Sequence, residues 1–271
     1  MKTRKIFLTA ILVSVGVALF AQNNGDFTVP FSDPSKPGKL YVDIKTGSVT
    51  IKGTARKDVS VTYTKDGDED DNDRENKSNR EGLKRISSGS LDIEASEYQN
   101  TVKIISDNWS EGLELIIEVP STIEVKAKAY NDGDLVISNI NGDLELTNYN
   151  GSISATGISG SVVAQTYNGD IKVSFDKVKA DAPMSYINYN GDIDVTYPAS
   201  LKATLKMKTK QGEIFTGFDG PVQKTNPVTK SDSKSGANKI VIDDWTKMDV
   251  AGGGPEITMK SYNGDIYVRK K

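Results

Sequence analysis

Glycine recurs at positions 133, 142, 151, 160 and 169, an interval of nine residues held four times running. One polar residue follows each glycine, and then an apolar one: Leu135, Leu144, Ile153, Val162 and Ile171. Nine residues hold a tight turn and one short strand, too little for a packed helix between breaks. Self-similarity at a fixed period points to stacked rungs that share a core. Alternate members differ, because Tyr-Asn precedes Gly151 and Gly169 whereas Ile-Asn precedes Gly142 and Ile-Ser precedes Gly160. That two-beat rhythm makes the unit an 18-residue coil with one strand on each of two walls. Later glycines lie farther apart, 22 residues from Gly169 to Gly191 and 21 from Gly191 to Gly212. The expected fold is all-β: a single-domain parallel β-solenoid, or β-helix, with two short strands per coil.

The fullest copies of the motif begin at Tyr149-Asn150-Gly151, Tyr167-Asn168-Gly169, Tyr189-Asn190-Gly191 and Tyr262-Asn263-Gly264. Asn and Gly accept positive φ at little cost, and the residues after them alternate apolar and polar. The alternation predicts one inward column through Leu135/Ile137, Ile153/Ala155, Ile171/Val173 and Ile193/Val195. Leu144/Leu146 and Val162/Ala164 would face it. At a strand spacing of about 4.8 Å, about ten coils would make a rod of order 50 Å.

The flanks are divided as follows. Residues 1–21 read as a signal peptide, with Lys2, Arg4 and Lys5 ahead of an apolar run from Ile6 to Phe20 and cleavage near Gln22. That run is short for a membrane span, so no integral span is expected once it is removed. Residues 22–39, with Pro30, Pro34 and Pro37, form an extended lead-in, and 40–271 form the repeat domain. Within it lie an acidic loop at 66–82, a strand expected at Ser90–Ile93, and a polar insertion at 218–254 with a strand-like island from Lys239 to Ile242. Asp66, Asp68 and Asp70 stand at alternate positions in the loop. Asp71 and Lys77 nevertheless occupy the places where an EF-hand needs its turn glycine and closing glutamate.

Composition removes several functions. The chain has neither histidine nor cysteine, so a lipidated cysteine, a disulfide, and the commonest acid–base catalyst and metal ligand are all missing. Loss of the three basic residues of the leader leaves 31 basic residues of the original 34 against 37 acidic ones, a net charge of about −6. A mildly acidic chain is a poor partner for nucleic acid or anionic membranes. No cofactor and no metal site are expected.

The Asn-Gly-Asp-Ile-x-Val turns from residue 131 onward, the strand end at Glu118-Val119-Pro120 and the leader together resemble an exported bacterial adhesin-type family of β-strand repeats. It is a domain of unknown function of β-solenoid type. The resemblance covers residues 40 to the end, and implies a β-solenoid at the cell envelope: in the periplasm, on the outer surface or outside the cell. It supplies no catalytic residues.

Three function classes stay open at the level of sequence. A polysaccharide lyase or hydrolase would need paired carboxylates or a base with cationic clamps. Asp134, Asp170, Asp192 and Glu213 follow their turn glycines, Asp143 and Asp265 match them, and stacked like charges would raise a pKa. These residues sit in turns, however, where acidic side chains bond backbone amides, and no arginine lies between Arg85 and Arg269. The favoured reading is therefore non-enzymatic. A binding module would use the equivalent tyrosines Tyr149, Tyr167, Tyr189 and Tyr262 on a rigid wall, with a glycan or a surface protein as partner. Alternatively those tyrosines and Asn150, Asn168, Asn190 and Asn263 form ladders that only bind coil to coil, as in an inert envelope scaffold. Nothing in the sequence fixes an oligomeric state.

Overall fold

A computed structural model describes residues 24–65, 92–179, 181–224, 229–231, 238–240 and 245–271. The expected leader and the acidic loop lie outside the described residues, as do parts of the polar insertion. Every regular element among the described residues is a strand. The first are β1 (Asn24–Pro30), β2 (Lys39–Thr46), β3 (Val49–Thr54), β4 (Asp58–Lys65), β5 (Glu94–Tyr98) and β6 (Thr101–Ser106). Next come β7 (Leu113–Pro120), β8 (Glu124–Asn131), β9 (Leu135–Ser138), β10 (Leu144–Asn150), β11 (Ile153–Ile158) and β12 (Val162–Asn168). They continue with β13 (Ile171–Phe175), β14 (Met184–Ile187), β15 (Ile193–Tyr197), β16 (Ala203–Lys208), β17 (Ile214–Thr216) and β18 (Val222–Lys224). The last are β19 (Thr229–Ser231), β20 (Asn238–Ile240), β21 (Thr246–Val250), β22 (Glu256–Lys260) and β23 (Ile266–Lys270).

Two large sheets hold nearly all of them. The first runs β1-β4-β7-β3-β9-β11-β13-β15-β23-β17, and the second β18-β21-β16-β22-β14-β12-β10-β8-β2-β6-β5. Parallel registers stack the apolar positions: Leu135 pairs with Ile153, Ile153 with Ile171, Ile171 with Ile193 and Ile193 with Ile266. On the second sheet Leu144 pairs with Val162 and Leu146 with Ala164. All of these side chains are buried between the sheets. The period-two alternation therefore builds one continuous core. Deep within it the Tyr197 hydroxyl meets that of Tyr186 at 3.2 Å, and the Phe175 ring stacks on Tyr197 with centroids 5.0 Å apart. Burial pushes both tyrosine hydroxyls well above their ordinary pKa.

Three expectations need correction. First, the sheets are mixed. β1 pairs antiparallel with β4, β4 with β7, β5 with β6, and β21 with both β16 and β18. The reason at β5–β6 is local: Gln99 and Asn100 turn the chain with φ of 50° and 61°, and a two-residue hairpin joins only antiparallel strands. The lead-in accordingly contributes the edge strand β1. The strand expected at Ser90–Ile93 lies partly outside the described residues; its residues 92–93 are not in a strand, and β5 opens at Glu94.

Second, the stacking does not follow chain order. Eight strand pairs pass from the second sheet to the first: β6/β7 over a longer connection, and β2/β3, β8/β9, β10/β11, β12/β13, β14/β15, β16/β17 and β22/β23 across a glycine two residues ahead of the second strand. The last of these, β22/β23, lies between β14/β15 and β16/β17. Gly212 therefore stacks against Gly264, and Gly264 against Gly191. Third, the eight pairs among the described residues are fewer than about ten coils.

Candidate functional site

The turns between the two sheets bring four rows of equivalent residues together, with a buried polar row beside them. The glycines come first. A Cβ on Gly169 would strike the carbonyl oxygen of Gly151, and one on Gly151 that of Gly133. Gly191 stands in the same relation to Gly169. The coils thus approach through bare backbone.

The second row is acidic. Asp134 Oδ1 accepts the Ser152 amide at 2.7 Å, Asp170 that of Asp192 at 2.8 Å, Asp192 that of Asp265 at 2.7 Å, and Asp265 that of Glu213 at 2.8 Å. On the opposite side of the coil Asp143 accepts the Ser161 amide at 3.0 Å and is held by Lys179 at 2.7 Å. Each carboxylate serves the next coil of the stack. The Glu213 amide and the Tyr267 hydroxyl hold Asp265 below its usual carboxylate range. At Asp143 burial acts upward, but the bonds from Lys179 and Ser161 outweigh it and the pKa falls. The like-charge elevation that an acid catalyst would need is thus reversed at both positions.

The third row is carboxamide. Asn150 donates to Asn131 at 3.0 Å, Asn168 to Asn150 at 2.7 Å, Asn190 to Asn168 at 2.7 Å and Asn263 to Asn190 at 2.7 Å. Stacked amides in register bond head to tail as in cross-β ladders. One residue before each motif tyrosine lies a row that sequence reasoning missed. Asn148 donates to the Gly133 carbonyl at 2.8 Å, Thr166 to that of Gly151 at 2.9 Å, and Ser261 to that of Gly191 at 3.3 Å. These polar residues sit at inward positions of the alternation and are buried. Their common signal is a polar residue three before each turn glycine. Its identity changes from Asn to Thr to Ser, which hides it from motif matching.

The fourth row is the tyrosines, on the outer face of the second sheet. Tyr149 and Tyr167 stack with centroids 5.1 Å apart and planes within 5°. For Tyr167 and Tyr189 the figures are 4.8 Å and 2°, and for Tyr189 and Tyr262 4.6 Å and 9°. Lys210 Nζ lies 4.6 Å from the centre of the Tyr262 ring and 3.2 Å from its hydroxyl. Tyr149, Tyr167 and Tyr189 are 51%, 41% and 38% exposed. In such a column the inner ring faces cover one another, so edges and hydroxyls meet solvent. The face-on platform on which a sugar ring stacks is absent along the column interior.

Beyond Lys210 the outer face changes character. Lys206 and Lys208 of β16, Lys247 of β21 and Lys260 of β22 stand at outward positions of adjacent strands. The Lys206 and Lys208 ammonium groups lie 4.9 and 5.8 Å from the centre of the Trp245 ring. No cluster of three or more acidic side chains suited to a metal ion occurs among the described residues.

A family model described as Toastrack DUF4097 matches residues 88–244, more than half of the chain. The chain belongs to the Toastrack DUF4097 family. The Toastrack match takes in five of the seven turn glycines that join strand pairs: Gly133, Gly151, Gly169, Gly191 and Gly212. No curated protein matches the chain. Among solved structures, this Toastrack chain is similar to a putative cell adhesion protein from Clostridium sporogenes. The identity is 12%, the alignment covers 92% of this chain and 100% of that one, and the TM-score is 0.42. A putative adhesin from Bacteroides fragilis is similar at 11% identity, over 93% of this chain and 98% of that one, with a TM-score of 0.40. At these scores neither structure carries a residue role over to this Toastrack protein.

Proposed function

We propose that the protein is an exported, non-enzymatic binding module, a β-solenoid rod that presents the outer face of its second sheet to an extended partner, a glycan or a surface protein, at the cell envelope. One observation carries this reading. The turn carboxylates and asparagines are engaged in coil-to-coil hydrogen bonds, while the tyrosine row turns hydroxyls and ring edges to solvent at intervals of 4.6–5.1 Å. Groups that are saturated within the stack are poor general acids or bases. A rigid array of hydroxyls suits a partner that is itself periodic, because a preorganised surface loses little entropy on binding.

The specific alternative is an inert envelope scaffold. It is favoured by the mutual engagement of the Asn and Tyr rows, which would look the same if cohesion were their whole purpose. An array of glycans and matrix proteins probed with the purified chain separates the two. A reproducible hit that is lost on Tyr167→Ala/Tyr189→Ala supports the binding module, and a blank array favours the scaffold. The export step has its own check. Intact mass of the protein from the envelope fraction should give an N-terminus near Gln22, and retention of residues 1–21 would overturn it.

A further inference from the structure

One connection of the rod departs from the glycine turn. Between β6 and β7 the chain crosses from the second sheet to the first through residues 107–112, Asp-Asn-Trp-Ser-Glu-Gly. This connection is held at three points. Asn108 Oδ1 accepts the Ser110 amide at 2.9 Å and the Glu111 amide at 3.3 Å. The Thr46 hydroxyl of β2 donates to the Trp109 carbonyl at 3.3 Å, and Lys65 of β4 bonds Glu111 at 3.0 Å. The Trp109 side chain is nevertheless 58% exposed. An indole is a large apolar group that folding ordinarily covers, and the bonds that fix this loop make no use of it.

Trp109 stands at the end of the aromatic row. Tyr130 follows Ala129, whose partner is Asn148, so Tyr130 lies beside Tyr149 on the outer face of the second sheet. The Trp109 and Tyr130 rings meet with centroids 5.8 Å apart and planes inclined by 55°. Within the tyrosine column the planes lie within 9° of parallel and cover one another. The tilt turns the indole out of that stack and leaves a ring face to solvent. Charged groups flank it. Lys45 Nζ lies 4.7 Å from the centre of the Tyr130 ring, bonds Asp43 at 2.7 Å and lies 3.5 Å from Asp107. The Asp43 side chain is largely buried, whereas that of Asp107 is 70% exposed. One ammonium between two carboxylates gives this corner no excess of positive charge.

We propose that Trp109 is the platform on which a neutral sugar ring of a glycan chain stacks, with Asp107 accepting from its hydroxyls. The proposal deepens the binding-module reading, rests on it, and names the class of partner. Three features select that class. An open indole face takes the C–H face of a sugar ring, which the covered tyrosines of the column cannot. The exposed Asp107 suits hydroxyl donors and repels an acidic sugar or a phosphate, while the Lys45 ammonium over Tyr130 repels a cationic ligand. The Tyr149 and Tyr167 hydroxyl edges continue from Tyr130, so a chain anchored at Trp109 can run on along the row. The pinned loop presents the indole already ordered, and binding loses little entropy there.

The test titrates the full chain with soluble hydroxyethyl cellulose, mannan and dextran, and with polygalacturonate as the acidic control, by affinity electrophoresis and by tryptophan emission. The sequence holds two tryptophans, so Trp245→Phe leaves Trp109 as the single reporter. At least one neutral polysaccharide should bind, with an affinity that salt hardly changes, and should shift the Trp109 emission. Trp109→Ala should weaken that binding by about ten-fold or more, as for a central aromatic anchor, and Trp109→Phe by less. The control Tyr98→Ala removes an aromatic side chain that is 73% exposed at the β5–β6 hairpin, and should leave binding within about two-fold. Circular dichroism of the variants verifies the fold.

Failure of all three neutral polysaccharides overturns the proposal, as does binding that survives Trp109→Ala or leaves the Trp109 emission unchanged. An equal loss in Tyr98→Ala overturns it as well, since it would signal unspecific adhesion to exposed rings. Tighter binding of polygalacturonate, or of a matrix protein in place of the neutral chains, lost in Trp109→Ala, assigns the loop to another partner class and overturns it too. An array hit that persists in Trp109→Ala but is lost in Tyr167→Ala/Tyr189→Ala would sink this platform alone and leave the binding-module reading standing. A blank array together with three silent polysaccharides would remove both.

Discussion

Gly169 illustrates how a single hydrogen atom sets the geometry of the turn. Its φ of +141° is one that side chains rarely adopt, and its Cβ would meet the backbone of Gly151 and Ser152. Gly160 isolates the second effect, because its φ is unremarkable but its Cβ would strike the carbonyl of Gly142. Gly169→Val should therefore lower stability by more than about 2 kcal/mol in a urea titration, through strain and loss of the inter-coil approach together. Lys172→Val, at an outward position, should be nearly neutral, and Gly160→Ala should be destabilising even without a φ penalty. Equal stability of Gly169→Val and Lys172→Val would remove the turn assignment.

Titration is also decided residue by residue. A carboxylate held below its ordinary value stabilises the fold above the unfolded pKa and loses that contribution as pH falls through the lowered one. Asp265 and Asp143 are both of this kind, so thermal stability should be flat from pH 7 to about 5 on their account and decline below about 4. Asp265→Asn keeps an acceptor for the Glu213 amide and should make that acid limb shallower. Tyr186 and Tyr197 act at the other end. Their raised values stabilise the fold below the unfolded tyrosine pKa, and this is lost as pH climbs beyond about 10. Tyr197→Phe should soften that alkaline limb in a melting series across pH 9 to 12.

At the scale of elements, rows behave differently from pairs. Asn168 donates to Asn150 and accepts from Asn190, whereas Asn263 donates to Asn190 and its own carboxamide oxygen has no partner. Asn168→Ala removes two bonds and orphans two half-buried groups, for a cost of about 2 kcal/mol. Asn263→Ala should cost about half as much, and a chemical denaturation series comparing the two measures the difference. Strand pairing is also where sequence was most informative. The glycine interval and the apolar residue two places after each glycine specified the columns through Ile153, Ile171 and Ile193, because register and burial there depend on local period alone. The polar row at Asn148, Thr166 and Ser261 was hidden by its change of residue type. The antiparallel flanks and the insertion of β22 beside β16 were not legible at all, because each depends on which distant strand comes to lie alongside, and periodicity within a strand is silent about its neighbours.

For the molecule as a whole, the decisive fact is the position of the carboxyl-terminal strand pair. β23 bonds β15 on one side and β17 on the other, and the Lys271 amide donates to the Tyr197 carbonyl at 2.9 Å. Removal of residues 262–271 takes away an interior layer rather than an end, so β17 loses its only large-sheet neighbour. Such a truncation should lower the melting temperature by about 10 °C or more and broaden the transition. A sharp transition at the original temperature would mean that the end is dispensable.

That same placement also bears on time. A rod whose layers followed chain order would grow behind the ribosome or a translocation pore, each coil settling on the one before it. Here the layer between β15 and β17 is occupied by β23, which is made after both of them, so a gap must stay open, or be filled wrongly, until that strand emerges. Closure waits for β22 and β23, and any delay in making that stretch postpones the moment at which the second half of the core closes.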